Sequence, residues 1–144
     1  MCNTGTMTRL LGGSRLLSRE IDSEMDLYEI AVRGIPKKAV VDFAKNIDIS
    51  MKAMVAMLNT TERTLQRRKD FDLLDKDLSE HVLQLAEIYS RGEQVLENIE
   101  NVKVWLETPN IAFNGKKPID LISSRYGIQM IMEQLGRIEH GVFS

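Results

Sequence analysis

Ser50-Met51-Lys52-Ala53-Met54-Val55-Ala56-Met57-Leu58-Asn59-Thr60-Thr61-Glu62-Arg63-Thr64-Leu65-Gln66-Arg67-Arg68-Lys69 is the stretch on which the fold turns. Ser50 has the short hydroxyl side chain that accepts from the free amides at a helix start. Met54, Val55 and Leu58 follow at the three- and four-residue spacing of one helical face. Asn59 and Thr60 break that pattern as a short turn. Either Thr60 or Thr61 then caps a second helix, which the pattern carries through Arg68 with Leu65 as its buried contact. Two short helices separated by such a turn form a helix-turn-helix.

The second helix of the pair is cationic, with Arg63, Arg67, Arg68 and Lys69. Arg63 and Arg67 are four apart and share a face, and Gln66 lies one turn from Arg63. Arginine pairs two-point with guanine in the major groove, and glutamine with adenine. The hydroxyls of Thr61 and Thr64, at the helix N-terminus, suit phosphate oxygens. DNA contact is therefore predicted for Thr61, Arg63, Thr64, Gln66, Arg67 and Arg68. A run of acids follows at once, Asp70, Asp72, Asp75, Asp77 and Glu80, with the charge to neutralise these arginines in the free chain.

Upstream, Ser23 caps a helix running to about Val32, and Gly34 accepts the left-handed conformation that ends it. Pro36 suits the first turn of the next helix, whose stripe is Val40, Phe43, Ala44 and Ile47. Before Glu20 the chain carries Arg9, Arg15, Arg19, several Ser and Thr, and no acid. That composition resembles a transit peptide, but reads more simply as a flexible arm over residues 1–20.

Downstream, a longer helix is predicted from about Leu78 to Leu96. Its stripe Leu78, Val82, Leu85 and Tyr89 is widened by Leu83, Ala86 and Ile88. So wide an apolar arc suits either an ordinary core helix or one packed on both sides, including across a dimer seam. A short helix around Asn101–Glu107 ends before Pro109, since the residue preceding proline avoids helical geometry. Asn114-Gly115 is a turn. Pro118 starts another short helix, and a last one is predicted over Arg125–Glu139, with Ile128, Ile131, Met132, Leu135 and Ile138 as its stripe. Gly141 stops it, leaving Val142-Phe143-Ser144 as a tail fit either to plug a partner's pocket or to dock on its own core.

The composition agrees with an all-α fold: 144 residues, 43% hydrophobic, only 6% aromatic and three prolines. The formal net charge is −2, so DNA binding must come from a local basic patch or from two patches in a dimer. One cysteine, Cys2, permits no internal disulfide, which fits a reducing, cytoplasmic setting. No apolar run approaches the roughly 18 residues that a membrane span needs. Two histidines, His81 and His140, make no convincing zinc site, so no metal is expected. Asn110 and Lys117 replace the glycine and hydroxyl residue of a phosphate loop, and no nucleophile elbow is present. An enzyme is not expected.

From Val104 onward the chain resembles the Xre/MbcA/ParS toxin-binding domain. Trp105-Leu106-Glu107-Thr108-Pro109-Asn110 is similar to its WL-x-x-PN opening. Gly115 to Ile122 resembles its G-x-x-P-x-D-L element, and Leu135-Gly136-Arg137-Ile138-Glu139-His140-Gly141 its L-x-R-I-x-x-G close, with Gly127 between. Upstream, Thr64-Leu65-Gln66-Arg67-Arg68 resembles the R-T-L-x-R-R of the same family's Xre-like helix-turn-helix. The resemblance implies an antitoxin encoded beside a RES-domain toxin, which has an ADP-ribosyltransferase-like fold and depletes NAD. It implies masking of the toxin's cofactor pocket, repression of the operon through operator DNA, and a homodimer held by the central helices. The NAD chemistry belongs to the toxin, so no cofactor is expected here. Toxin contact is assigned to Arg137, Glu139, His140, Gly141, Val142, Phe143 and Ser144. Phe113 is larger than the small aliphatic residue the resemblance leads one to expect. The expected layout is an arm (1–20), a helix-turn-helix and dimerisation region (21–90) and a toxin-binding domain (91–144). The competing reading is a helix-turn-helix regulator without a toxin partner.

Overall fold

Side-chain caps set where the helices of this chain begin. In the computed structural model, which describes residues 4–141, Ser23 Oγ accepts from the Asp26 amide at 3.2 Å. Ser50 Oγ accepts from Ala53 at 3.0 Å, Asp75 Oδ1 from Leu78 at 2.8 Å, and Asn98 Oδ1 from Asn101 at 2.8 Å. Each satisfies an amide that the first helical turn leaves without a partner.

The resulting helices are α1 (Thr4–Leu10), α2 (Ser14–Leu17), α3 (Glu24–Arg33), α4 (Lys37–Asn46), α5 (Met51–Met57), α6 (Glu62–Gln66), α7 (Lys76–Leu96), α8 (Ile99–Leu106) and α9 (Arg125–Glu139). Two 3-10 turns, Ile111–Phe113 and Pro118–Leu121, lie between α8 and α9. Among the described residues there is no strand, only an isolated bridge between Pro36 and Leu73. The all-α architecture expected from the composition is thus the observed one.

The break between α3 and α4 depends on Gly34. Its φ is 96°, and a Cβ there would stand 2.3 Å from the Leu74 carbonyl oxygen. Pro36 precedes α4 as its cap instead of lying inside its first turn, and Lys37 is the first helical residue.

Helix α7 is the axis of the molecule. No residue from Leu78 to Glu93 is exposed, and α1, α3, α8 and α9 all pack against it. Val82, Leu85, Ala86 and Ile88 are fully enclosed. Tyr89 meets Phe43 of α4 edge-on, ring centres 5.7 Å apart. Burial pushes the Tyr89 hydroxyl up to about 12, with the charge of Glu107 adding to the effect. Gly92 admits α8 closely, for a Cβ at that position would meet Val102 Cγ2 at 2.8 Å.

Two expectations change together. Residues 4–21 are not a flexible arm. They form α1 and α2, and Met7, Leu10, Leu11, Leu17 and Ile21 are buried in the common core. Asn46 Nδ2 donates to the carbonyls of Arg9 and Leu10, at the end of α1, at 3.2 and 3.0 Å. Arg9 also pairs with Glu93 of α7 at 3.2 Å. The wide apolar arc of α7 is covered in part by this segment and otherwise by α3, α8 and α9, so of its two readings the structure shows the core helix. The expected boundary between residues 90 and 91 also falls inside α7, whose core runs unbroken to both sides.

Removing residues 1–21 would take five large apolar side chains out of the common core, each contributing about 1.5–3 kcal/mol when fully buried. Leu10→Ala alone is expected to cost about 2–5 kcal/mol. Thermal and urea unfolding followed by circular dichroism checks both. A truncated chain as stable as the full one would show that α1 and α2 are not part of the core.

Candidate functional site

The turn after α5 is closed by Asn59, whose φ is 55°, and by the Thr60 amide donating to the Val55 carbonyl at 3.2 Å. Of the two threonines left open as caps, Thr61 is the one used: its Oγ1 accepts from the Thr64 amide at 3.1 Å. Thr61 Oγ1 and Thr64 Oγ1 are also 2.9 Å apart and share a hydrogen bond. The two hydroxyls expected to hold phosphates are therefore bonded to each other and to the helix start.

Helix α6 stops at Gln66, short of the Arg68 expected. Its trajectory nevertheless continues one step, since the Arg67 amide donates to the Arg63 carbonyl and the Arg68 amide to the Leu65 carbonyl. Arg63 and Arg67 thus do lie one turn apart. Leu65 is buried, while Arg63, Thr64, Gln66, Arg67, Arg68 and Lys69 are exposed.

The acidic run does not quench this patch. Asp72 Oδ2 accepts from the Lys69 amide at 2.9 Å, Asp75 caps α7, and Glu80 pairs with Arg125 of α9. Among the described residues none of Arg63, Arg67, Arg68 or Lys69 makes an ion pair. Lys37 Nζ donates to the Arg68 carbonyl at 3.0 Å and fixes the end of the basic segment.

The second group of candidate residues lies at the far end of α9. Arg137 and His140 are exposed, and Gly141 has a φ of 74°. Glu139 is already engaged, its Oε1 accepting from Arg91 Nη2 at 2.5 Å with Arg91 only 14% exposed. This pair ties α9 to α7. Val142, Phe143 and Ser144 lie outside the described residues.

Sequence reasoning passed over the exposed apolar residues of this half. Tyr126 and Ile111 are each 82% exposed, Val104 65% and Met130 43%. Tyr126 and Met130 are four apart on α9, offset from the buried stripe of Ile128, Ile131 and Leu135. A second apolar pair on the far face of an amphipathic helix was the available signal. The motif residues upstream are structural. Trp105 meets Phe113 edge-on at 6.4 Å, which accounts for an aromatic where a small aliphatic residue was expected. Asn110 Oδ1 accepts from the Ala112 amide at 2.9 Å, while its backbone bonds to Phe113, Gly115 and Lys116 close the loop.

Helix-turn-helix and α9 are joined directly. Asn59 Nδ2, in the turn itself, donates to the Ser123 carbonyl at 2.8 Å. His81 Nε2–H donates to the Ile122 carbonyl at 3.1 Å. Gly127 lets α9 close on the preceding 3-10 turn, where a Cβ would lie 1.9 Å from the Leu121 carbonyl oxygen. Among the described residues no group of three or more His, Cys, Asp or Glu is placed to hold a metal ion, and no helix is long and apolar enough to cross a membrane.

Such an arrangement, a basic helix-turn-helix joined to a helical module with an exposed apolar face, defines a two-part helical protein. Residues 26–87 match the antitoxin Xre-like helix-turn-helix domain, and residues 91–141 match the antitoxin Xre/MbcA/ParS C-terminal toxin-binding domain. The chain belongs to this antitoxin family. It is also similar to a protein of Sphingobium sp. (strain YBL2) described as a Prs ADP-ribosylating antitoxin, with 25% identity over 132 residues, 85% of this chain and 83% of that one.

Gly127→Ala is expected to destabilise the protein by more than an exposed substitution does, because a backbone carbonyl occupies the space. Its melting temperature relative to an exposed control such as Gln129→Ala checks this, and equal values would contradict the packing described.

Proposed function

We propose that this chain binds and sterically neutralises a RES-domain, NAD-depleting toxin and represses its own operon through operator DNA, as two copies acting in the cytoplasm. The observation that carries the reading is the order of the two matched domains on one continuous core, a basic helix-turn-helix followed by a toxin-binding domain. The Sphingobium relative, by its description, is an antitoxin of the ADP-ribosylating class, which supports a toxin that consumes NAD.

In this reading toxin contact spreads from Arg137, Glu139, His140 and Gly141 across the exposed Tyr126, Met130 and Ile111. An apolar surface of that kind is the usual core of a protein interface. The tail Val142-Phe143-Ser144 reaches into or shadows the NAD entrance. The antitoxin performs no chemistry: it excludes substrate from the toxin's site and needs no cofactor.

The DNA half works through α6. Arg63, Gln66 and Arg67 read base edges and Arg68 tracks the backbone. Thr61 and Thr64 keep the helix start formed and offer phosphates their remaining hydrogen-bonding capacity. Two copies then read half-sites about 34–36 Å apart, or a multiple of that spacing. Arg63→Ala should weaken operator binding by about 1–3 kcal/mol and relax specificity at one base position. An unchanged affinity across operator variants would remove Arg63 from the reading surface.

Co-expression with the RES-domain protein of the adjacent gene tests the neutralisation. The expected result is a stable complex that hydrolyses no NAD, with hydrolysis appearing once this chain is removed. Deleting residues 142–144 should restore part of the hydrolysis without altering the fold. A chain that leaves NAD hydrolysis untouched would support a regulator without a toxin partner.

A further inference from the structure

A cleft of about 450 Å³ opens between α2 and the loop that follows α6. Arg15 and Leu16 of α2 line it on one side, and Phe71 and Leu73 of the loop on another. Arg33 and Pro36, from the break between α3 and α4, complete this lining. The α2 wall precedes residue 26, where the first matched domain begins, so part of the cleft comes from outside both matched domains.

The walls are fixed in place. Gly12 has a φ of 97°, and a Cβ there would stand 2.6 Å from both Asp42 Oδ2 and Leu16 Cδ2. The missing side chain lets the turn before α2 close on α4. Opposite, Leu73 is bridged to Pro36, and the Leu74 amide donates to the Ile35 carbonyl at 2.8 Å. The amides of Lys37 and Lys38 donate to the Asp72 and Asp70 carbonyls at 3.0 and 2.7 Å. Phe71, 71% exposed, and Leu73, 41% exposed, are thus held beside open space on a pinned loop. A preformed cleft of several hundred Å³, with apolar walls and a few charged groups, is the usual form of a small-molecule site.

The charges select the ligand. Arg15 and Arg33 are exposed, and neither is in an ion pair among the described residues. Asp42 is the one acid in the lining, and it is already engaged: its Oδ1 accepts from Lys38 Nζ at 3.2 Å. That pair cancels, which leaves two uncompensated guanidinium groups beside apolar surface.

We propose that this cleft binds a small amphipathic carboxylate, an organic acid with an aliphatic or aromatic body of medium length. A guanidinium meets a carboxylate with two parallel hydrogen bonds, while Leu16, Pro36, Leu73 and Phe71 receive the apolar body. A cation would face two like charges, and a neutral apolar molecule would leave both guanidinium groups without a counter-ion. An amphipathic anion satisfies both halves of the lining. Once bound, it covers Phe71 and ties α2 to the loop that continues α6. The site stands apart from the toxin and DNA readings and needs neither partner.

Titrating the isotope-labelled full chain with octanoate, followed by its amide chemical shifts, tests this, with circular dichroism confirming the helical fold of each variant. The expected result is a set of shifts that saturates at one site per chain and centres on residues 12–18, 33–38 and 69–74. Acetate has the charge without the body, and octanamide the body without the charge. Each should bind the native chain about tenfold more weakly or worse, a comparison that needs no variant. Arg15→Glu and Arg33→Glu should each weaken octanoate binding by about tenfold or more, since each sets a carboxylate against that of the ligand. Lys116→Glu, the same charge change outside the cleft, should leave it unaltered. Shifts that never saturate, or that centre on the exposed apolar residues of α9, would overturn the proposal. So would octanamide binding as tightly as octanoate, or folded Arg15→Glu and Arg33→Glu chains that bind octanoate undiminished.

Discussion

Everything in this molecule depends on the enclosure of α7. A helix with so wide an apolar arc has no stable place at a surface and must be wrapped. Four other helices do the wrapping, drawn from both ends of the sequence and its middle. Once α7 is wrapped, α3 comes from one side, α8 and α9 from another, and α1 closes the remaining arc. The helix-turn-helix and the toxin-binding domain are therefore two faces built on one axis. A change that loosens α7 should be felt at both.

The two faces divide the labour by chemistry. Helix α6 and its extension carry cations that have no acidic partner among the described residues, on a short segment whose start is held by Thr61 and whose end is held by Lys37. Helix α9 carries exposed Tyr126 and Met130 on a helix anchored at one end by Glu80 and at the other by Arg91. Charge without apolar area suits a phosphate backbone, whereas apolar area rimmed by a few charges suits a protein. The Asn59–Ser123 and His81–Ile122 hydrogen bonds tie the turn of one face to the cap of the other. A protein seated on α9 thus rests against the element that aims α6.

Most of the fold was legible from local chemistry. Ser23 and Ser50 are helix starts because they are short polar side chains ahead of apolar periodicity, and α9 keeps the bounds that its stripe set. The N-terminal segment was not legible, for a physical reason. Met7, Leu10 and Leu11 form too short a periodic run, and Gly12-Gly13 with Ser14 and Ser18 carry the signature of a loop. Its helices exist only because α7 and α4 are there to receive them, and such tertiary rescue leaves no local trace. The same omission made α7 look in need of a partner chain. At the candidate site, spacing located the basic face of α6 but could not show that Glu139 is taken by Arg91, an ion pair between residues 48 apart. Nor could it show that Asp72, Asp75 and Glu80 are occupied elsewhere.

Hydrogen–deuterium exchange of the chain alone, with the RES-domain toxin and with operator DNA is the most direct test of one axis bearing two faces. The account predicts that α7 and residues 5–11 are slow to exchange throughout. Toxin should add protection to α9 and the loop at residues 110–114, and DNA should add it to residues 61–69. Fast exchange in residues 5–11 of the free chain, or toxin protection confined to α6, would contradict it.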